Sequence, residues 1–344
     1  MELPVAFKGA PGSPYTRKMT AVLRYRRIPY RYLVGSAADN AGMPKPKVEL
    51  LPTFYLPDAN GVLEAVTDST PLIRRFEQEL AGRNVLPTDP VLALIDAVLE
   101  DFADEWVTKA MFHYRWKFAD AIDKASTILP VHFSDVTASQ SVLDTLKTLF
   151  AQRQISRLAV VGSNEHTAPL IETGYKRLVD LLDAHLQTQP FLMGHRPGAS
   201  DFALYGQLTQ LAHFDPVSMA LTLERSRRVF AWVDLVEDLS GLEPLDGDWA
   251  STDTLEPTLL ALLSELSQGY LPVLLANARA LARGEKHMNA DLPLGHWQQA
   301  VVPYQAKCLR WLRQQFAAMD VPSKARAHEI LETTGLTDLI YAPV

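Results

Sequence analysis

At 344 residues, against ~100–200 for an ordinary domain, the chain is too long for a single small binding module and is expected to hold more than one domain. Its 47% hydrophobic and 21% charged residues exclude a disordered polymer, and 33 basic against 40 acidic side chains leave a net charge of −7 that repels nucleic acid and anionic lipid. The lone cysteine, Cys308, excludes an internal disulfide and a thiolate metal cage and suits a reducing compartment.

Short apolar runs alternate with helical stretches over the first 85 residues, which is α/β patterning. Residues 4–8 predict a first strand. The loop Ala10-Pro11-Gly12-Ser13 opens a helix over 14–26, and after the Ile28-Pro29 break a second, β-favouring strand covers 30–34. Residues 53–56, the turn Asp58-Ala59-Asn60-Gly61 and residues 62–66 predict an antiparallel hairpin, with Asn-Gly supplying the positive φ. A helix over 70–80 follows, opened by Asp68-Ser69-Thr70-Pro71.

Beyond the linker Leu86-Pro87-Thr88-Asp89-Pro90 the pattern becomes helical and stays so. Residues 91–118 predict one long helix or two short ones. Ile171, Tyr175, Leu178 and Leu182 line one helix face, as do Phe202, Tyr205, Leu208 and Ala212, and near the end Leu309, Leu312 and Phe316. Residues 257–283 are also helical by pattern, with Pro272 expected to mark a kink or break. The N-terminal residues lack a basic stretch leading into a long apolar one, and no uncharged run reaches the ~18 residues of a membrane span. A cytoplasmic protein with no membrane partner and no nucleic-acid partner is expected.

Four motifs, in order, carry a resemblance. Gly12-Ser13-Pro14-Tyr15-Thr16-Arg17-Lys18 sets Ser before Pro and an aromatic at a helix start. Leu51-Pro52-Thr53-Phe54 precedes a strand, Asp68-Ser69 precedes a helix, and Pro190 to Leu204 runs from an irregular stretch into an apolar helix containing Asp201. In this order they resemble the glutathione transferases, over roughly residues 4–240. The resemblance implies a thioredoxin-like glutathione-binding domain over 1–85 and an all-helical domain over 90–245. Residues 246–344 are left as a helical extension packed on the helical domain. It also implies a cis Leu51-Pro52 bond, a buried helix capped by Asp201, and a homodimer. Leu50-Leu51 stands where the family often has Lys-Val, so Lys45 or Lys47 is either the alternative contact for the glycine carboxylate of glutathione or, the favoured reading, simply a solvated loop lysine.

The residue types suit that chemistry. A free thiol with pKa ~8.5 is only a few per cent ionised at neutral pH, so a site that uses it must favour the anion. Ser13 can donate to the sulfur, and the helix start adds unpaired amides and positive dipole; plain N-capping is the other reading of Ser13, and Tyr15 is the rival hydroxyl. Leu51 and Pro52 are expected to pair with the peptide backbone. Asp68 and Ser69 are expected to hold the γ-glutamyl ammonium and carboxylate, or simply to cap their helix. An acceptor pocket bordered by Tyr15, Trp106, His113 and Trp116 is expected, with core packing as the alternative for each. Glutathione is the co-substrate of this reading and no metal is expected. The function expected is transfer of glutathione to a small apolar electrophile, with isomerisation or peroxide reduction open. The alternative is a non-catalytic binding or scaffold protein on the same fold.

Overall fold

Alternation builds the first sheet. In β1 (Val5–Lys8) Val5 and Phe7 point into the core, and the chain continues through α1 (Pro14–Tyr25), β2 (Tyr30–Leu33), the single turn α2 (Ala37–Asn40), β3 (Thr53–Pro57), β4 (Leu63–Val66) and α3 (Ser69–Glu79). These elements come from a computed structural model that describes residues 3–293 and 295–344. The strands form one sheet in the order β2-β1-β3-β4, with β1 and β2 parallel and the other two pairs antiparallel. Met19, Val22 and Leu23 of α1 and Leu72, Ile73 and Phe76 of α3 join Val5, Phe7, Phe54 and Leu56 in one core. Pro14 sits where its missing N–H has no helical partner to lose. This is the thioredoxin-like arrangement the motif order implied.

The second region is helical. The long helix predicted over 91–118 is nearly continuous: α4 (Pro90–Asp101) widens into a π-helical turn, Phe102–Val107, and runs on as α5 (Thr108–Lys117). Helices α6 (Ala119–Phe133), α7 (Gln140–Ile155), α8 (Ala168–His185), α9 (Ala199–Leu208), α10 (Pro216–Arg225) and α11 (Arg227–Val236) follow. Every residue of α9 is buried. Its start is fixed by Asp201, whose carboxylate accepts from the Gly198 N–H at 2.9 Å and the Leu192 N–H at 2.8 Å, so the expected cap is present. Helix α9 joins the two regions by lying on α1, and Gly206 permits the approach: a Cβ there would stand 2.5 Å from the Pro14 carbonyl oxygen.

The remaining residues differ from the helical extension expected over 246–344. Helices α12 (Pro257–Leu266) and α13 (Tyr270–Ala282) are followed by a hairpin, β5 (His287–Leu292) and β6 (Gly295–Ala300), before α14 (Pro303–Ala317), α15 (Val321–Thr333) and α16 (Thr337–Tyr341). The hairpin has a period-two reason: Met288, Ala290, Trp297 and Gln299 face inward and their neighbours outward. The break between α12 and α13 falls at Gly269, not Pro272. Pro272 lies in the first turn of α13, where an N–H has no intrahelical acceptor, so proline is tolerated there and the interruption precedes it. By length and composition the run Pro257–Ala282 is apolar enough to cross a membrane, and 56% of its most apolar 18-residue window is buried within the fold. Helices α14 and α15 pack on α4, and α14 also reaches the first domain.

Candidate functional site

A cleft of about 1160 Å³ lies between the start of α3, the Leu51-Pro52 segment, the α4–α5 helix and α14. Leu51, Pro52, Asp68, Ser69 and Tyr15 all line it, and the Leu51-Pro52 bond is cis. Ser13 stands just behind this wall as the N-cap of α1. Its hydroxyl accepts from the Thr16 N–H and donates to the Leu51 carbonyl, each at 3.3 Å, which is long for bonds of these types. The turn that presents Ser13 is clamped from the helical domain. Arg115 of α5 donates to the Gly12 carbonyl at 3.1 Å while its Nε pairs with Asp215 at 3.0 Å. A Cβ on Gly12 would meet the Leu129 side-chain tip, so with any larger residue there Leu129 of α6 would have to shift.

Tyr15 spends its hydroxyl proton on the Asp104 carbonyl at 2.7 Å. Burial, with Glu105 and Asp104 nearby, pushes its pKa well above the usual value, so it is a neutral donor that ties α1 to the π-helical turn. Asp68 precedes α3 but does not cap it: no bond joins its carboxylate to the helix amides. Instead Asp68 Oδ2 accepts from the Tyr304 hydroxyl of α14 at 2.7 Å. The Ser69 hydroxyl accepts from Lys18 at 3.1 Å, which leaves its own proton free to donate into the cleft.

Lys18 closes the Ser-Pro motif in the sequence with no role expected of it at the site, yet it is fully buried and anchors the polar floor. Its ammonium contacts Asp104 at 2.6 Å and Glu100 at 2.8 Å, and Glu100 also takes Arg74 at 2.6 Å and Thr70 at 3.0 Å. Burial works against the Lys18 charge, but Asp104 and Glu100 outweigh it and raise the pKa. Against a burial penalty of the opposite sign, Arg74 and Lys18 hold Glu100 at about 2.

The other expected pocket residues are elsewhere. Trp106 packs on Trp297 of the hairpin, centroids 4.9 Å apart. His113 is wholly buried with its ring nitrogens facing Ser163 at 2.8 Å and Glu172 at 3.3 Å, and burial lowers its pKa. Trp116 packs among Phe112, Ala125, Leu129 and Phe150. None of the three lines the cleft; Trp106 of the π-helical turn faces the extension, and His113 and Trp116 of α5 turn into the helical core. Lys45 and Lys47 are exposed and do not line it either. The wall opposite α3 is built by Tyr304, Lys307, Cys308, Trp311 and Leu312, all from the extension.

The sequence profile of the glutathione S-transferase N-terminal domain matches residues 8–84, and that of the glutathione S-transferase C-terminal domain matches residues 165–235. The chain carries both domains of the glutathione S-transferase family. Neither profile reaches α12 to α16, so the α14 wall of the cleft lies outside the matched regions. No curated protein matches the chain. Among solved structures it is similar to a glutathione transferase from Pseudomonas putida with glutathione disulfide bound, at 12% identity, 69% of this chain and 87% of that one, TM-score 0.39. It is also similar to a glutathione S-transferase from Rhodospirillum rubrum, at 15% identity, 75% and 91% coverage and TM-score 0.39. A third is a glutathione S-transferase from Methylobacterium radiotolerans in complex with glutathione sulfonate, at 19% identity, 66% and 92% coverage and TM-score 0.37.

The acidic helix bordering the cleft sets a pH dependence of stability. Burial pushes Asp101 up to about 6, Asp96 and Asp104 to about 7, and Glu105 and Asp201 to about 8. Unfolding returns each to near ~4, so across this window the folded chain holds more protons than the unfolded one. Stability is therefore present at the acid end and lost as pH rises through about 6 to 8. Glu100, held low, has the opposite sign below ~4.5, and His113, His132 and His185, each pushed down by burial, oppose the trend below their usual ~6.5, but the five carboxylates outnumber them. Urea unfolding is expected to give a higher midpoint near pH ~5.5 than near pH ~8; equal midpoints, or a higher one at the alkaline pH, would contradict the assignment.

Proposed function

We propose that this protein is a glutathione-dependent transferase that activates the thiol of glutathione beside Ser13 and delivers it to a small, mostly apolar electrophile. The observation that carries the reading is the single cleft wall on which Leu51, Pro52, Asp68 and Ser69 meet, at the N-terminal end of α1. The Asp68 carboxylate suits an α-ammonium. The Ser69 hydroxyl, with Lys18 behind it, suits an α-carboxylate. Leu51 offers backbone groups to the cysteinyl residue of the tripeptide. When the cysteinyl N–H takes over the Leu51 carbonyl, the long bond from Ser13 is released and its hydroxyl turns to the sulfur. The thiol proton passes to solvent water, and the charge left on sulfur is held by a hydroxyl and a helix start. The thiolate's electron pair forms the new bond to the electrophile, and the displaced group leaves with its own pair. Val48, Leu50, Trp311 and Leu312 give the cleft the apolar surface such an acceptor needs.

The Ser13–Leu51 and Tyr304–Asp68 bonds favour one second reading, a non-catalytic protein whose polar site atoms are satisfied internally. Retention on immobilised glutathione, followed by turnover against a panel of electrophiles, separates the two. Asp68→Ala or Ser69→Ala should raise KM for glutathione roughly tenfold to a hundredfold, as loss of a charge-assisted hydrogen bond of ~1.5–3 kcal/mol implies, with kcat at saturation nearly unchanged. A wild-type protein that neither binds glutathione nor turns over any electrophile would leave only the second reading.

A further inference from the structure

Asp68 is unusual for a residue at a helix start. Its φ of +86° is outside the ordinary range for a residue with a Cβ, and its carboxylate turns away from the helix amides that an aspartate there normally accepts from. The group it turns to is the Tyr304 hydroxyl, 236 residues further along the chain. Tyr304 is itself firmly placed. Immediately before α14, Val302 is clamped by the wholly buried Asn277, which accepts from its N–H at 2.7 Å and donates to its carbonyl at 2.9 Å. Gln305 and Leu309 are buried on one side of α14, which leaves Tyr304, Lys307, Cys308 and Trp311 on the cleft side. Burial, then Cys308 and Asp68, raise the pKa of Tyr304, so the phenol is a donor at any working pH. Asp68 Oδ2 is occupied by this bond, and Oδ1 has no partner among the described residues.

We propose that Tyr304 is a positioning residue for the γ-glutamyl end of the substrate: it holds the Asp68 carboxylate in the cleft so that its second oxygen receives the α-ammonium group. The proposal rests on the transferase reading. It assigns the extension a part in recognition, because a residue outside both matched domains sets the direction of a carboxylate inside one of them.

The test compares dissociation constants of the wild-type protein and Tyr304→Phe for two ligands: glutathione, and glutaryl-cysteinylglycine, which lacks the α-amino group. Phenylalanine keeps the ring that packs edge-on to Trp311, and thermal melting checks that the fold is unchanged. Tyr304→Phe is expected to weaken glutathione about tenfold, as loss of a hydrogen bond to a charged group implies, and to leave the affinity for the desamino ligand unaltered. In an Asp68→Ala background the same change should have no effect on either ligand. Equal losses for both ligands would mean that Tyr304 only shapes the cleft and would overturn the proposal. Tighter glutathione binding by Tyr304→Phe would also overturn it, since the phenol would then be a competitor for Asp68. A wild-type protein that does not bind glutathione would overturn the transferase reading, and the proposal with it.

Discussion

Ser13→Ala is expected to slow turnover roughly tenfold to a hundredfold, the loss of one hydrogen bond of ~1.5–3 kcal/mol to a charged sulfur, while KM for glutathione changes little. The asymmetry follows from position. Asp68 and Ser69 meet the γ-glutamyl end whether the sulfur is protonated or not, whereas the Ser13 hydroxyl interacts more strongly with thiolate than with thiol. The same substitution removes the N-cap bond to Thr16, at a cost of about 1 kcal/mol of stability, so fold and rate are separable by measuring both. Should rate and thiol titration be unaltered, the activator would have to be the amides at the start of α1. Tyr15 is a poor substitute because its proton is committed to the Asp104 carbonyl.

Lys18→Met should produce the largest loss of stability of any single change at the site, about 3–5 kcal/mol, the usual result of leaving a buried ion without its partner. The substitution strands Asp104 and takes one of two cations from Glu100. Denaturant unfolding near pH ~8.5, above the Asp104 pKa of about 7, should show the full loss. It should shrink toward pH ~5.5, because Asp104, already raised to about 7, takes up a proton and no longer needs a cation. A loss under ~1 kcal/mol, or one that does not depend on pH, would contradict the assignment of Lys18 as the counter-charge of this floor. The folded variant should also bind glutathione less tightly, since Ser69 loses the ammonium behind its hydroxyl.

The first domain was readable because its signals are local. Strand alternation, the Asn-Gly turn and the Ser-Pro helix start each lie within a few residues, and the observed β1, β2, β3, β4 and α3 match those expected to within about two residues at each end. Motif order also placed Leu51, Pro52, Asp68 and Ser69 on one wall. Lys18, Arg115 and Tyr304 were not readable, since each acts on a partner far away in sequence and a lysine or arginine on a helix looks like a solvated one. The aromatics expected at the acceptor pocket failed for a related reason. Sequence shows that Trp106 and Trp116 need burial, but not that Trp297 of an unforeseen hairpin and Phe150 of α7 provide it.

One measurement bears most directly on the central claim that this cleft binds glutathione and favours its thiolate. Ultraviolet titration of glutathione bound at saturation reports the ionisation of its sulfur. The account predicts a bound thiol that titrates about two units below the free value of ~8.5 in the wild-type protein and moves back toward that value in Ser13→Ala. A saturable complex whose thiol titrates at the free value, in wild type and variant alike, would contradict it.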